Sequence, residues 1–296
     1  MFEVPLSASK QGQIEQLVAD KRSAIGGQEL PIANNLLPYL ENLGIHIVQA
    51  PVSQSNAGRT PSFSALYYCD STGGTPHHYI GLNSADYFDR QLFALAHELY
   101  HFFTASQTSH FSPYILLDAR EEGKELPGEQ ATADREANYF AAEFLLPSTT
   151  LHHLVQKQFD KENLFIEQDI PTLLRFIARI HLSWWLPYRS IVRRLYEKKL
   201  INEDQYNNLY KEDPRNGEGQ YSLIAKAFDP DTYAKLNCMT KTKTIDNGSL
   251  ECILSNYTTG LIDEQELTDT LLLFGKTPQE LGINFSEGLD DTEDDE

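Results

Sequence analysis

Five consecutive residues carry the clearest chemistry in this chain, His97-Glu98-Leu99-Tyr100-His101, the pattern H-E-x-x-H. They sit at the centre of RQLFALAHELYHFFT, Arg90 to Thr104. Leu92, Phe93, Leu95, Ala96, Leu99, Phe102 and Phe103 recur there at helical spacing with no Gly or Pro between them. The stretch therefore predicts an amphipathic helix, with Asp86 near its start after Asn83-Ser84. Side chains four apart stand one above the other on a helix, so both imidazoles can reach one metal ion. Glu98 points about 100° further round, where it can face a water held by the metal. This spacing is that of a zinc hydrolase site, which needs a third protein ligand and keeps a fourth position for water.

A second helix crossing the first would supply that ligand, and DREANYFAAEFLLP offers two acids. Asp134 and Glu136 are two apart, so they point to different sides of the helix. Asp134 is in line with Ala137, Asn138 and Ala141, small residues that let two helices approach closely, whereas Glu136 is in line with Phe140 and Glu143. Geometry favours Asp134 and leaves Glu136 as its rival. An acid in a first helical turn is also favoured by the helix dipole with no metal at all.

The elements that must position these residues read as an α+β arrangement. Helices are expected from Gln11 to about Gly26 and from Pro31 to Gly44. Three strands follow: IHIVQAPV, SFSALYYCD (Ser62 to Asp70) and HHYIGLN. After the H-E-x-x-H helix comes a polar, irregular connection from Thr104 to about Gln130, long enough to be a lid. The acid-bearing helix runs from about Ala131 to Leu146 and stops at Pro147. The next helix is expected to be capped by Ser148 or Thr149. From Pro171 to about Tyr210 the pattern is helical, with a turn at HLS (His181 to Ser183). This pair is similar to a helix-turn-helix whose second helix is basic through Arg189, Arg193, Arg194, Lys198 and Lys199. KEDPRNGEGQ (Lys211 to Gln220) reads as a linker to two short helical patterns. The expected division is a metallopeptidase domain over 1–165, a helical domain over 166–212, a C-terminal accessory module over 213–285 and an acidic tail over 286–296.

Composition narrows the function classes. The chain of 296 residues carries a formal charge of −19 and is 41% hydrophobic and 23% charged, as expected of a soluble globular protein. Such acidity disfavours DNA binding, so a helical packing unit is the better reading of the basic pair. The terminal EGLDDTEDDE holds seven acids in ten residues, the composition of a solvated tail; a mimic of nucleic acid or a dock for a basic partner is the sharper alternative. No apolar run reaches bilayer length and no secretory signal is evident, so no membrane partner is expected. Cys69, Cys238 and Cys252 are scattered. That argues against a disulfide framework or a thiolate zinc site and fits a cytoplasmic location.

AHELYH followed by DREANYFAAEFLLP resembles the ImmA/IrrE family of zinc metallopeptidases, from roughly Ile45 to Phe159 and more weakly through ARIHLSWWLPYRSIVRRLYEKKLI. The resemblance implies a zincin-like core, Zn²⁺ held by His97, His101 and Asp134, and Glu98 as the general base. Two departures stand out. Tyr100 occupies a position that is usually glycine, which is tolerable if it faces outward or lines the cleft, and the third ligand is often glutamate. The resemblance also implies a protein substrate, a helix-turn-helix repressor or antitoxin cleaved to switch gene expression in a mobile element, stress response, toxin–antitoxin pair or phage defence. Ser62 to Tyr68 is expected to be an edge strand for an extended substrate. Tyr67, Tyr68, His77, His78, Tyr100 and His110 are candidates for stabilising the oxyanion. Two other classes stand beside the peptidase: a metal-containing regulatory or toxin-like protein that only holds a partner, against which an intact Glu98 argues, and a DNA-binding regulator working through Ser183 to Leu200.

Overall fold

The computed structural model describes residues 6–27, 29–52, 64–71, 75–104, 110–114, 128–160 and 169–285, with side chains described except at 110–114 and 128–131. The acidic tail therefore lies outside the described residues. The sheet has five strands: β1 (Ile45–Ala50), β2 (Ala65–Asp70), β3 (His77–Asn83), β4 (His110–Tyr114) and β5 (Thr244–Ile245), in the order β4-β2-β3-β1-β5. β1 and β3 run parallel, in register Ile45 with His78 and Ile47 with Ile80; the other neighbours are antiparallel. Strand alternation puts Ile45, Ile47, Ala65, Tyr67, Cys69, Ile80 and Leu82 on one buried face. Against that face packs α3 (Phe88–Thr104), with Leu92, Leu95, Ala96 and Leu99 fully or nearly fully buried.

The helices are α1 (Ala8–Ala24), α2 (Leu36–Asn42) after a 3-10 turn, α3, α4 (Gly128–Leu145), α5 (Ser148–Phe159) and α6 (Ile170–Trp184). Then come α7 (Tyr188–Glu197), α8 (Glu203–Lys211), α9 (Gln220–Phe228), α10 (Pro230–Leu236), α11 (Asn247–Thr258) and α12 (Glu264–Leu273). The mixed α+β class is as expected. Several details differ for identifiable reasons. β2 is interior, flanked by β3 and β4, so it is not an edge; the edge on that side is β4, which lies in the connection expected to be irregular. The helix expected to break at HLS continues to Trp184. His181-Leu182-Ser183 contains no breaker, whereas Pro187 forces a stop and Trp185 takes a left-handed φ of 56°. Ser148 does not cap α5 through its side chain; its hydroxyl donates instead to Glu143 Oε2 at 2.6 Å. α9 and α10 fall where no helix was expected.

The basic residues of α7 and its end are largely spent on internal partners. Arg194 is buried and donates to Glu143 Oε2 at 2.6 Å, tying α7 to α4. Burial alone would raise the Glu143 carboxyl, but Arg194 and Ser148 hold it below its usual range. Lys198 Nζ pairs with Glu15 at 2.7 Å, and the Arg189 guanidinium lies 5.2 Å from the Tyr210 ring centre.

The C-terminal segment is stitched to the start of α3. β5 pairs with β1, Phe88 N donates to Cys238 O at 2.8 Å, and Lys241 N donates to Ser84 O at 2.8 Å. Arg215, in the stretch read as a linker, donates to Asp89 Oδ1 at 2.6 Å in the first turn of α3. The other oxygen of Asp89 is 3.3 Å from His181 Nε2, and His181 Nδ1 is hydrogen-bonded to the Tyr221 hydroxyl. Burial by itself would raise the Asp89 carboxyl; Arg215 and His181 together bring it down to about 2 from 3.8. Among the described residues, no helix is long and apolar enough to cross a membrane.

Removing one partner of this buried pair leaves a charge stranded, so Arg215→Ala should cost about 3 kcal/mol in urea unfolding. The exposed Arg175→Ala should change stability by no more than about 0.5 kcal/mol. Because the folded-state pKa of Asp89 is depressed, its stabilisation is present above pH 3.8 and is lost as pH falls toward 2. Urea titrations across that window should show wild-type stability falling about 2 kcal/mol further than that of Asp89→Asn.

Candidate metal centre

α3 and α4 lie along each other, brought close by Ala137 and Ala141 of α4, both fully buried. At their crossing His97 and His101 stand one turn apart on α3, as the i, i+4 spacing requires, with their Nε2 atoms 3.3 Å apart. Asp134 Oδ1 approaches from α4 to 3.5 Å from His97 Nε2. Donors about 2.0–2.2 Å from a tetrahedral zinc ion would be separated by roughly 3.3–3.6 Å, so both distances fit edges of one coordination tetrahedron. Among the described residues no group of three or more His, Cys, Asp and Glu side chains is gathered into a complete metal cluster. The geometry supplies two edges of one, both running from His97.

The surroundings of His97 suit a ligand. Its Nδ1 is 3.1 Å from Asn138 Oδ1. An amide oxygen only accepts, so Nδ1 carries the proton and Nε2 keeps its lone pair for the space between His101 and Asp134. Burial, and after it His101, push the His97 pKa well below its ordinary range, which keeps the imidazole in the neutral form that metals bind. Glu98 is fully buried, and neither carboxylate oxygen has a hydrogen-bond partner. Burial first, then Asp134, raise its pKa well above normal, with the Tyr67 backbone pulling weakly the other way. An unpartnered buried carboxylate is costly unless the site supplies it with a donor, which a bound cation and its water would do.

Glu136 faces elsewhere. It accepts a hydrogen bond from the Tyr100 hydroxyl at 2.6 Å and pairs with Lys10 of α1 at 3.0 Å. Tyr100 neither faces outward nor stands free: it is 5% exposed, with its ring 5.5 Å from that of Phe140. The oxyanion candidates also separate. The Tyr67 hydroxyl is paired with His78 Nδ1 at 2.8 Å, on the sheet face that meets α3. Tyr68 and His77 alternate onto the opposite face, and the His110 side chain lies outside the described residues. Reading the sequence missed Asn138 as a histidine partner, although it stands in the small-residue row with Asp134. Lys10 and Asp89 carried no local signal.

The two acids are separable by titration with zinc against a chromophoric chelator. Asp134→Ala should abolish stoichiometric binding, whereas Glu136→Ala should still take up one zinc. Asn138→Ala should bind it about 10- to 100-fold more weakly, as expected for loss of a histidine's outer partner.

A search of curated proteins finds no match to this chain. Residues 40–179 match the model of the family Peptidase_M78, described as the IrrE N-terminal-like domain. That span runs from α2 through the sheet strands β1 to β4, α3 and α4 and into α6, and so holds His97, Glu98, His101 and Asp134. Over residues 40–179 the chain is similar to this family, which is consistent with a metallopeptidase of the ImmA/IrrE kind.

Proposed function

We propose that the chain is a zinc-dependent endopeptidase of the H-E-x-x-H type, with His97, His101 and Asp134 holding the metal and Glu98 acting as the base. The observation that carries this reading is Glu98: a fully buried carboxylate whose two oxygens have no hydrogen-bond partner, next to a neutral histidine whose Nε2 faces Asp134 and His101. Zinc held there would lower the pKa of a bound water toward 7 and polarise a carbonyl. The chain's own residues do the rest. Glu98 would take a proton from the attacking water and return it to the departing amine. Asn138 keeps the His97 ring in one tautomer and orientation. The complete burial of Glu98, next to the equally buried Tyr67, keeps bulk water from the carboxylate.

β4 is the sheet edge beside β2, and its outer backbone can pair with an extended peptide. This suits a protein substrate. The substrate class we propose is a helix-turn-helix repressor or antitoxin in the cytoplasm, cleaved to switch gene expression in a mobile element, a stress response, a toxin–antitoxin pair or phage defence. A DNA-binding role is the weaker reading, since Arg194 and Lys198 are committed to Glu143 and Glu15. A protein that merely held its partner would have no use for an unpartnered Glu98.

Co-expression with a neighbouring helix-turn-helix protein tests this directly. Wild type should cleave it once. Glu98→Gln should cleave at least about 100-fold more slowly while retaining its zinc. Equal cleavage by the variant would overturn the mechanism.

A further inference from the structure

We propose that Tyr100, inside the H-E-x-x-H motif, is a positioning residue: through Glu136 it fixes the roll of α4 on α3 and so sets Asp134 at the metal. The proposal rests on the zinc reading above. Asp134 and Glu136 are two apart on α4 and point to different sides, yet both are engaged by α3. Asp134 meets His97 at 3.5 Å, and Glu136 meets the Tyr100 hydroxyl at 2.6 Å. His97 and Tyr100 are three apart, neighbours across one helical turn. Asp134 and Asn138 both meet His97, and the Glu136 contact to Tyr100 one turn on adds a polar tie on another side of α4, which limits its roll on α3. Lys10 adds a third element, holding Glu136 Oε2 at 3.0 Å from α1. The latch is partly shielded: the Tyr100 ring is buried against Phe140 while Glu136 remains part-exposed, and a hydroxyl bond to a carboxylate is charge-assisted.

The arrangement has a second effect on the same site. A carboxylate two residues from a metal ligand is a rival donor. Glu136 is withdrawn from that role because its Oε2 takes both the Tyr100 hydroxyl and the Lys10 ammonium. A glycine or phenylalanine at position 100 could do neither job. Tyr100 thus orders the site through another residue, without touching substrate or the reacting atoms.

Zinc affinity of the full chain, measured by competition with a fluorescent chelator, reads this out without any assay of activity. Tyr100→Phe should bind zinc about tenfold more weakly than wild type, with the metal-free melting temperature changed by no more than a few degrees. Glu136→Ala should show a similar loss. Glu136→Gln, whose amide oxygen still accepts from the hydroxyl, should stay within about twofold of wild type. The double variant Tyr100→Phe/Glu136→Ala should be no weaker than either single variant, because both cut one link. Unchanged zinc affinity in Tyr100→Phe, or losses that multiply in the double variant, would overturn the proposal. A wild type that takes up no zinc at all would instead sink the zinc reading on which it rests.

Discussion

The constraint on which this structure depends is the burial of ionisable groups on a single helix. α3 is apolar on almost every side, yet it carries Asp89, His97, Glu98 and His101 out of contact with water. Each needs a partner, because a buried charge or polar group without one costs several kcal/mol. The fold meets this at two places. At the first turn, Arg215 and His181 surround Asp89, drawing the C-terminal segment and α6 onto the helix start. At the middle, α4 brings Asn138, Asp134 and Glu136 to His97 and Tyr100. Of these four, Glu98 is the one whose carboxylate has no hydrogen-bond partner at either oxygen, and the proposed chemistry rests on it.

Much of the site was legible because helical spacing is a strong signal. H-E-x-x-H on an unbroken apolar helix, and an acid aligned with Ala137, Asn138 and Ala141 on another, lead to a crossing that the structure contains. What was not legible depended on contacts distant in sequence. Nothing local marks Arg215 as the partner of Asp89, since it stands in a stretch rich in Gly, Pro and charge that reads as a linker. β4 was hidden in a polar connection, and finding it moved the sheet edge away from β2. The HLS turn was misplaced because composition suggested a break where Trp185 and Pro187 supply the real one. Tyr100 looked like a departure needing tolerance; in the structure its hydroxyl has a definite acceptor.

The strong negative charge and the basic helix pair are reconciled by the same geometry. Arg194 is sunk beneath α7 onto Glu143, with Ser148 as a second acceptor, and Lys198 reaches back to Glu15 on α1. Cations used this way hold helices together and present little positive field to a phosphate backbone. The helical segment after α5 therefore works first as the scaffold behind α4.

X-ray absorption at the zinc edge on the purified chain tests the central claim most directly. One zinc per chain is expected, with nitrogen and oxygen donors only, at about 2.0–2.2 Å, including the multiple-scattering pattern of two imidazoles. A sulfur shell near 2.3 Å, or a chain that binds no zinc, would contradict it.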